Sequence, residues 1–250
     1  MELSIAIITH NESLNIERCI NSVKGIADDI IVVDSYSTDN TVALAQQMGA
    51  RVVLQKFLGH IEQKNFAVSQ AKYPFILSLD ADEAIDETLL NEIKAIKSNP
   101  IHADGYLINR FNNYCGQWIK HGAWQSDIKL RLWDSTKGKW AGLNPHDKFE
   151  MIPDANIQLL RGQILHWSYT SVEEHKGKVE YFSTIAAQAY FNRGKQSSYF
   201  KIVFSPLFRF VRDYIFKLGF LDGKYGLIIA HLTAKEVRLK YQKLMALNVG

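Results

Sequence analysis

Residues 30–55 read IIVVDSYSTDNTVALAQQMGARVVLQ, and the periodicity changes twice along them. Four apolar β-branched residues run into Asp34, the pattern turns helical from about 40 to 48, Gly49 stands where a helix stops, and RVVLQ resumes a strand. The alternation extends outward in both directions. LSIAIIT at 3–9 precedes Ile16, Cys19, Ile20 and Val23 at helical spacing, and a helix around 61–71 leads into FILSLD at 75–80. Short strands alternating with amphipathic helices predict an α/β fold, a mostly parallel sheet with helices on both faces. Ligands of such sheets bind beyond the carboxyl ends of the strands. Three of those ends are polar here: Thr9–Glu12, the stretch DSYSTDNT from Asp34, and Asp80-Ala81-Asp82-Glu83.

Asp86 opens a further helix with Leu89, Leu90, Ile93 and Ile96 inward, and DGYLINR (104–110) and IKLRLWD (128–134) read as later strands that make the sheet mixed. Between them, NNYCGQWIKHGAWQSD (112–127) sets Tyr114, Trp118 and Trp124 among polar groups, a composition that suits a sugar or base; covering a sheet edge is the other use of such a loop. Ser171 with Glu174 is a capping-box signature for a helix through about Asn192. Ser205-Pro206 and Gly219 then mark the start and end expected of another helix, and a third runs from Tyr225 towards Leu244. The expected organisation is a catalytic domain over 1–170 and a helical, basic, aromatic-rich extension over 171–250.

Of 250 residues, 47% are hydrophobic and 22% charged, which excludes a disordered chain. The longest apolar runs fall far short of the ~20 residues of a spanning helix, and the opening MELSIAIITHNE lacks a basic start, so the expectation is a cytoplasmic protein. Cys19 and Cys115 have no CxxC partner and suggest neither a disulfide framework nor a zinc site. Charge is unevenly divided. Residues 1–170 carry 16 Lys and Arg against 20 Asp and Glu, whereas 171–250 carry 13 against 6. A basic tail points to an anionic partner, nucleic acid or the anionic leaflet of a membrane. The apolar stripe and the basic groups of 199–244 favour the membrane surface; packing on the catalytic sheet or on a second subunit is the alternative.

The Asp80-x-Asp82 pair directly after an apolar strand is the sharpest chemical signal. Mg²⁺ or Mn²⁺ uses one or two carboxylates and leaves positions for substrate phosphates, although such acids also decorate helix starts. Asp34, at another strand end, suits hydrogen bonds from a base or ribose, with helix capping by Thr38 or Asp39 as a compatible role for the turn. No glycine-rich fingerprint follows the first strand, which argues against nicotinamide and flavin cofactors, and there is no Walker sequence. The missing glycine-rich, basic loop also speaks against a nucleotidyltransferase. A noncatalytic lipid- or nucleic-acid-binding protein is the rival from a different class.

LSIAIITHNES, IIVVDSYSTDNT, GHIEQKN and ILSLDADE, in this order, resemble glycosyltransferase family 2, inverting nucleotide-sugar enzymes with a GT-A fold, over roughly the first 135 residues. With WIKHGAWQSDIKLRLWD, PHDKF and the basic tail, the chain more narrowly resembles bacterial lipopolysaccharide-core β-1,4-glucosyltransferases. The resemblance implies a UDP-sugar donor, glucose above other hexoses, and a lipid-linked glycan or polyprenyl phosphate acceptor at the cytoplasmic face of the inner membrane. It places Thr9, Asn11 and Glu12 along the nucleotide pocket, Asp34 at the uracil edge, Lys64 near the donor, Asp80 towards the ribose and the metal, and Asp82 as the main metal ligand. Residues 1–100 would serve the nucleotide sugar and 101–170 the acceptor. Asp127 is the expected base, with Asp147 the runner-up, since many relatives have His-Glu where this chain has His146-Asp147. His166 is a candidate late contact to metal or diphosphate, or a structural residue beside Trp167. Arg131 and His121 are candidates for phosphate or acceptor contacts, Arg131 also having the option of pairing on its strand.

Overall fold

The structure, a computed structural model, describes residues 1–99, 103–143 and 146–249. Along the chain come β1 (Leu3–Thr9), α1 (Ile16–Val23), β2 (Asp29–Asp34), α2 (Thr41–Gln47), β3 (Arg51–Leu54), α3 (His60–Ser69), β4 (Phe75–Asp80), β5 (Glu83–Ile85) and α4 (Glu87–Ser98). Then follow β6 (Gly105–Tyr114), β7 (Gln117–Trp118), β8 (Asp127–Asp134), β9 (Gly138–Leu143), β10 (His146–Met151), β11 (Ile157–Tyr169), α5 (Val172–Asn192), α6 (Tyr199–Val211) and α7 (Gly223–Val249). The chain divides into two compact units, Met1–Arg110 with Ser126–His166, and Phe111–Gln125 with Trp167–Gly250.

The main sheet has the order β3-β2-β1-β4-β8-β6-β11-β5, with β7 paired to β6, and β9 and β10 form a separate hairpin. The first four strands are parallel and β8 joins β4 antiparallel, which gives the mixed, mostly parallel α/β sheet that the sequence predicts. Because β1, β2 and β4 are buried on both faces, their alternating side chains feed two cores. Leu3, Ile5, Ile7, Val32, Leu77 and Leu79 enter one with α1 and α4, and Ala6, Ile31, Val33 and Ile76 enter the other with Trp133, Trp140 and Phe149. The register aligns the strand ends: Thr9 lies beside Asp34, and Ile8 beside Asp80. Strand order reverses about β1, which is the switch point where a crevice opens in sheets of this type.

Local chemistry sets the helix starts. Asp86 accepts from Leu89 N at 2.7 Å to cap α4, and Ser171 accepts from Glu174 N at 3.1 Å to cap α5. Glu174 answers at Thr170 N, 2.9 Å, one residue before the cap. The expected start at Ser205-Pro206 is corrected: α6 begins at Tyr199, capped by Ser198 accepting from Lys201 N, and Pro206 lies inside it. A proline deprives only one carbonyl of its donor, and the Ser198 cap together with the packing of α6 on α7 carries the helix past it. Tyr114, Ile119 and Ile229 centre the core of the second unit, where α7 packs on α5 and α6. No helix among the described residues is long and apolar enough to cross a membrane.

Candidate active site

At the carboxyl ends of β1, β2 and β4 lies an open cleft of about 250 Å³. Thr9, His10 and Glu12 line it from the end of β1, Asp80, Ala81 and Asp82 from the end of β4, His60 and Gln63 from α3, and Ser35, Phe57 and His166 complete it. Thr9 Oγ1 and Gln63 Oε1 are buried there without a hydrogen-bond partner. Buried polar groups are normally satisfied, so two such atoms at one cleft mark it as built for a polar ligand.

The loops after β1 and β2 are laced together. Asn11 adopts a positive φ of 55° and accepts from Thr38 N at 2.8 Å, while its own N–H donates to Ser37 Oγ. Glu12 N donates to Thr41 Oγ1, and Ser13 N to Asp39. Burial works to raise the Asp39 pKa, but hydrogen bonds from Thr41 and Ser13 prevail and hold it at about 2. Asn11 therefore braces the rim without lining the cleft. Asp34 is fully buried, its carboxylate accepting from both the N–H and the hydroxyl of Ser37, and so it stiffens the same rim.

Behind the cleft runs a relay of charge. Lys64 Nζ stands 3.4 Å from Asp80 Oδ1 and 4.6 Å from the Trp140 ring centre. Arg131 lies 3.6 Å from Asp80 and 2.8 Å from Glu83. Arg110 reaches Glu83 at 3.4 Å and Asp127 at 2.6 Å, and Lys129 meets Asp127 at 3.3 Å. Glu83, fully buried, is the hub, accepting from Asp80 N as well as from both guanidiniums. Burial pushes the Asp80 pKa up, but Lys64, Arg131 and Arg110 outweigh it and leave the group well below the carboxylate range. Asp127 is also lowered, with burial opposed by Arg110 and Lys129.

Asp82 stands apart from this relay. It pairs with His166, Nε2 to Oδ2 at 3.2 Å. Among the described residues no group of three or more His, Cys, Asp and Glu converges as a metal cage. One carboxylate and one imidazole, with the neighbouring Asp80 held by cations, fit a hard divalent ion that takes its remaining ligands from a phosphate substrate and water. Of the sequence candidates, the cleft gathers Thr9, Glu12, Asp80, Asp82 and His166. Lys64 and Arg131 sit behind it, Asp34 and Asn11 brace its rim, and Asp127 ends the relay. Asp147 lies on β10 opposite Gly142, and its side chain is outside the described residues. Glu83 and Arg110 were missed. The sequence signal for Glu83 was an acid entering the apolar strand EAI, and for Arg110 a cation closing the strand DGYLINR.

Residues 4–150 match the family described as glycosyl transferase family 2, more than half of the chain. The chain belongs to that family. This family 2 transferase is 32% identical to an uncharacterised glycosyltransferase of Rickettsia prowazekii over 99% of its own length and 88% of the relative. It is 28% identical to the lipopolysaccharide core biosynthesis glycosyltransferase LpsC of Rhizobium meliloti, over 95% of the transferase and 92% of LpsC. The crystal structure of Staphylococcus aureus TarS residues 1–349 superposes with a TM-score of 0.49 at 16% identity, covering all of the transferase and 92% of that chain. Both relatives extend through the helical tail, beyond the family match. His166 also lies beyond residue 150, so the match covers Asp82 but not its partner.

Proposed function

We propose that the transferase moves a hexose, glucose first among the candidates, from a UDP-sugar to a hydroxyl of a lipopolysaccharide-core or other lipid-linked glycan, with inversion. The observation that carries this reading is the cleft at the ends of β1, β2 and β4, where Asp82 and His166 meet beside buried, unsatisfied Thr9 and Gln63 and the ion-paired Asp80. The likeness to LpsC along nearly the whole chain supports the acceptor class.

In this reading the Thr9–Glu12 loop receives the nucleoside, and Asp34, buried beneath the rim, reaches the uracil edge by exchanging its bonds from Ser37 for one from the base. Asp80 approaches the ribose while Lys64 and Arg131 hold it ionised. Asp82 and His166 would hold Mg²⁺ or Mn²⁺, which neutralises charge on the departing diphosphate. Asp127 takes the proton of the attacking hydroxyl, with Arg110 fixing its carboxylate. The catalytic function is assigned to residues 1–170.

Residues 171–250 are assigned to the cytoplasmic face of an anionic membrane. On α6 and the turn after it, Phe200, Phe208 and Phe216 are 67%, 67% and 75% exposed, far beyond what a monomer's surface needs. The test of the enzymatic reading is UDP release from UDP-glucose with and without Mn²⁺. Asp82→Ala abolishes metal-dependent release if the assignment holds, and unchanged turnover in that variant rejects it.

A further inference from the structure

We infer that the groove between α6 and α7 seats the apolar chain of one anionic lipid, with the headgroup held by Lys235 and Arg238. The inference rests on the membrane-facing reading of residues 171–250 and adds a discrete site to it. The groove has a volume of about 710 Å³, within the ~300–1,000 Å³ of small-molecule sites. Its walls are apolar: Ile202, Pro206 and Phe210 from α6 face Ala234 and Leu239 from α7. Lys235 and Arg238 lie one turn apart on α7 and line the same groove, with His231 a turn before them, and no acidic side chain among the described residues lines it.

What singles out Lys235 and Arg238 is that neighbouring cations are already engaged. Arg209 and Arg212 pair with buried Asp213. Lys243 pairs with Glu180, and Lys201 donates to the Gln196 carbonyl. Lys240 lies over the rings of Tyr190 and Tyr241. Lys235 and Arg238 have neither an ion pair nor a hydrogen bond among the described residues. Two free cations beside an apolar trough match a ligand that is anionic at one end and hydrocarbon at the other. A second copy docked groove to groove fits less well, because among the described residues the lining offers no carboxylate to meet those cations.

The test uses the full chain and calorimetric titration with dioctanoyl phosphatidylglycerol, dioctanoyl phosphatidylcholine and glycerol phosphate, the lipids below their micelle concentrations. The phosphatidylglycerol saturates one site, the phosphatidylcholine binds at least about tenfold more weakly, and glycerol phosphate does not bind. Two carbons fewer per chain weaken the anionic lipid by about tenfold. Ala234→Trp fills the groove and removes binding. Lys235→Glu with Arg238→Glu, both on the surface and no threat to folding, erases the preference for the anionic head. No saturable site, equal affinity for both lipids, or glycerol phosphate binding as tightly as lipid would overturn the inference. A lipid-insensitive dimer in sedimentation velocity would assign the groove to a second copy and overturn it as well. Sedimentation with anionic liposomes separates the two readings: adsorption without short-chain lipid binding rejects the groove alone, and the converse rejects only the surface.

Discussion

His166 brings Nε2 to 3.2 Å from Asp82 Oδ2 across 84 residues of sequence. The meeting is made by strand pairing, since β11 runs antiparallel to β5 with His166 opposite Glu83, the residue next to Asp82. A carboxylate and an imidazole at this distance serve equally as an ion pair or as two ligands of one cation, and metal titration separates the roles. His166→Ala is expected to raise the Mn²⁺ concentration for half-maximal UDP release by at least about tenfold, with Asp82→Ala more severe. An unchanged half-saturation in His166→Ala would leave the contact a simple ion pair.

Glu83 gives a prediction about stability. It is fully buried, and its two oxygens serve Asp80 N, Arg131 and Arg110. Removing one side of a buried charge pair strands the other, at a cost of ~3–5 kcal/mol. Glu83→Ala should lose about that much in urea denaturation, whereas Glu83→Gln, which keeps the shape, should lose less. A loss under ~1 kcal/mol in Glu83→Ala would mean that water reaches the guanidiniums and the hub is not closed.

The reach of the sequence follows from these two residues. The strands β1 to β4, the cap at Asp86 and the capping pair Ser171 and Glu174 are local patterns, each decided within a few residues, and all were legible. Their polar ends were legible too, because apolar runs stop abruptly at Thr9, Asp34 and Asp80. The relay was not. It depends on β8 lying between β4 and β6, which sets Arg110 directly opposite Asp127, and on β5 pairing with a strand eighty residues on. Long-range antiparallel register leaves no mark on a single chain's periodicity. Pro206 misled for a related reason: a proline is a fair start signal, but Ser198 supplied a stronger cap one helical segment earlier.

Asp127 carries a pH prediction. Burial opposes its ionisation, yet Arg110 and Lys129 prevail and hold its pKa below the ordinary carboxylate value. As a base it is therefore ionised at neutral pH, and the acid limb of kcat/KM should fall below that ordinary value. Arg110→Ala leaves burial with less opposition, so the limb should move to higher pH, and Asp127→Asn should remove it along with most of the activity. The same depressed pKa stabilises the fold at pH above the unfolded carboxylate value, a contribution lost as pH falls through the folded one. A limb that does not move in Arg110→Ala would take the role of base away from Asp127.

Gly162 tests how tightly α4 is laid on β11. A Cβ built at Gly162 would stand 2.2 Å from Leu89 N and 2.4 Å from its Cα, which are backbone atoms with no rotamer to yield. Glu92 fixes the same junction by accepting from Gly162 N at 2.9 Å, and Leu89 is fully buried in the core beneath. Any side chain at 162 must therefore push the helix off the strand. Gly162→Ala is expected to cost ~1–3 kcal/mol in chemical denaturation, the range for overpacking. Gly177→Ala, at a site on α5 where nothing lies within 4 Å, should be neutral or stabilising. Since β11 also carries His166, the shift in Gly162→Ala should weaken Mn²⁺ dependence as well, and a destabilised variant with wild-type metal response would show that the Asp82–His166 contact does not rely on this packing.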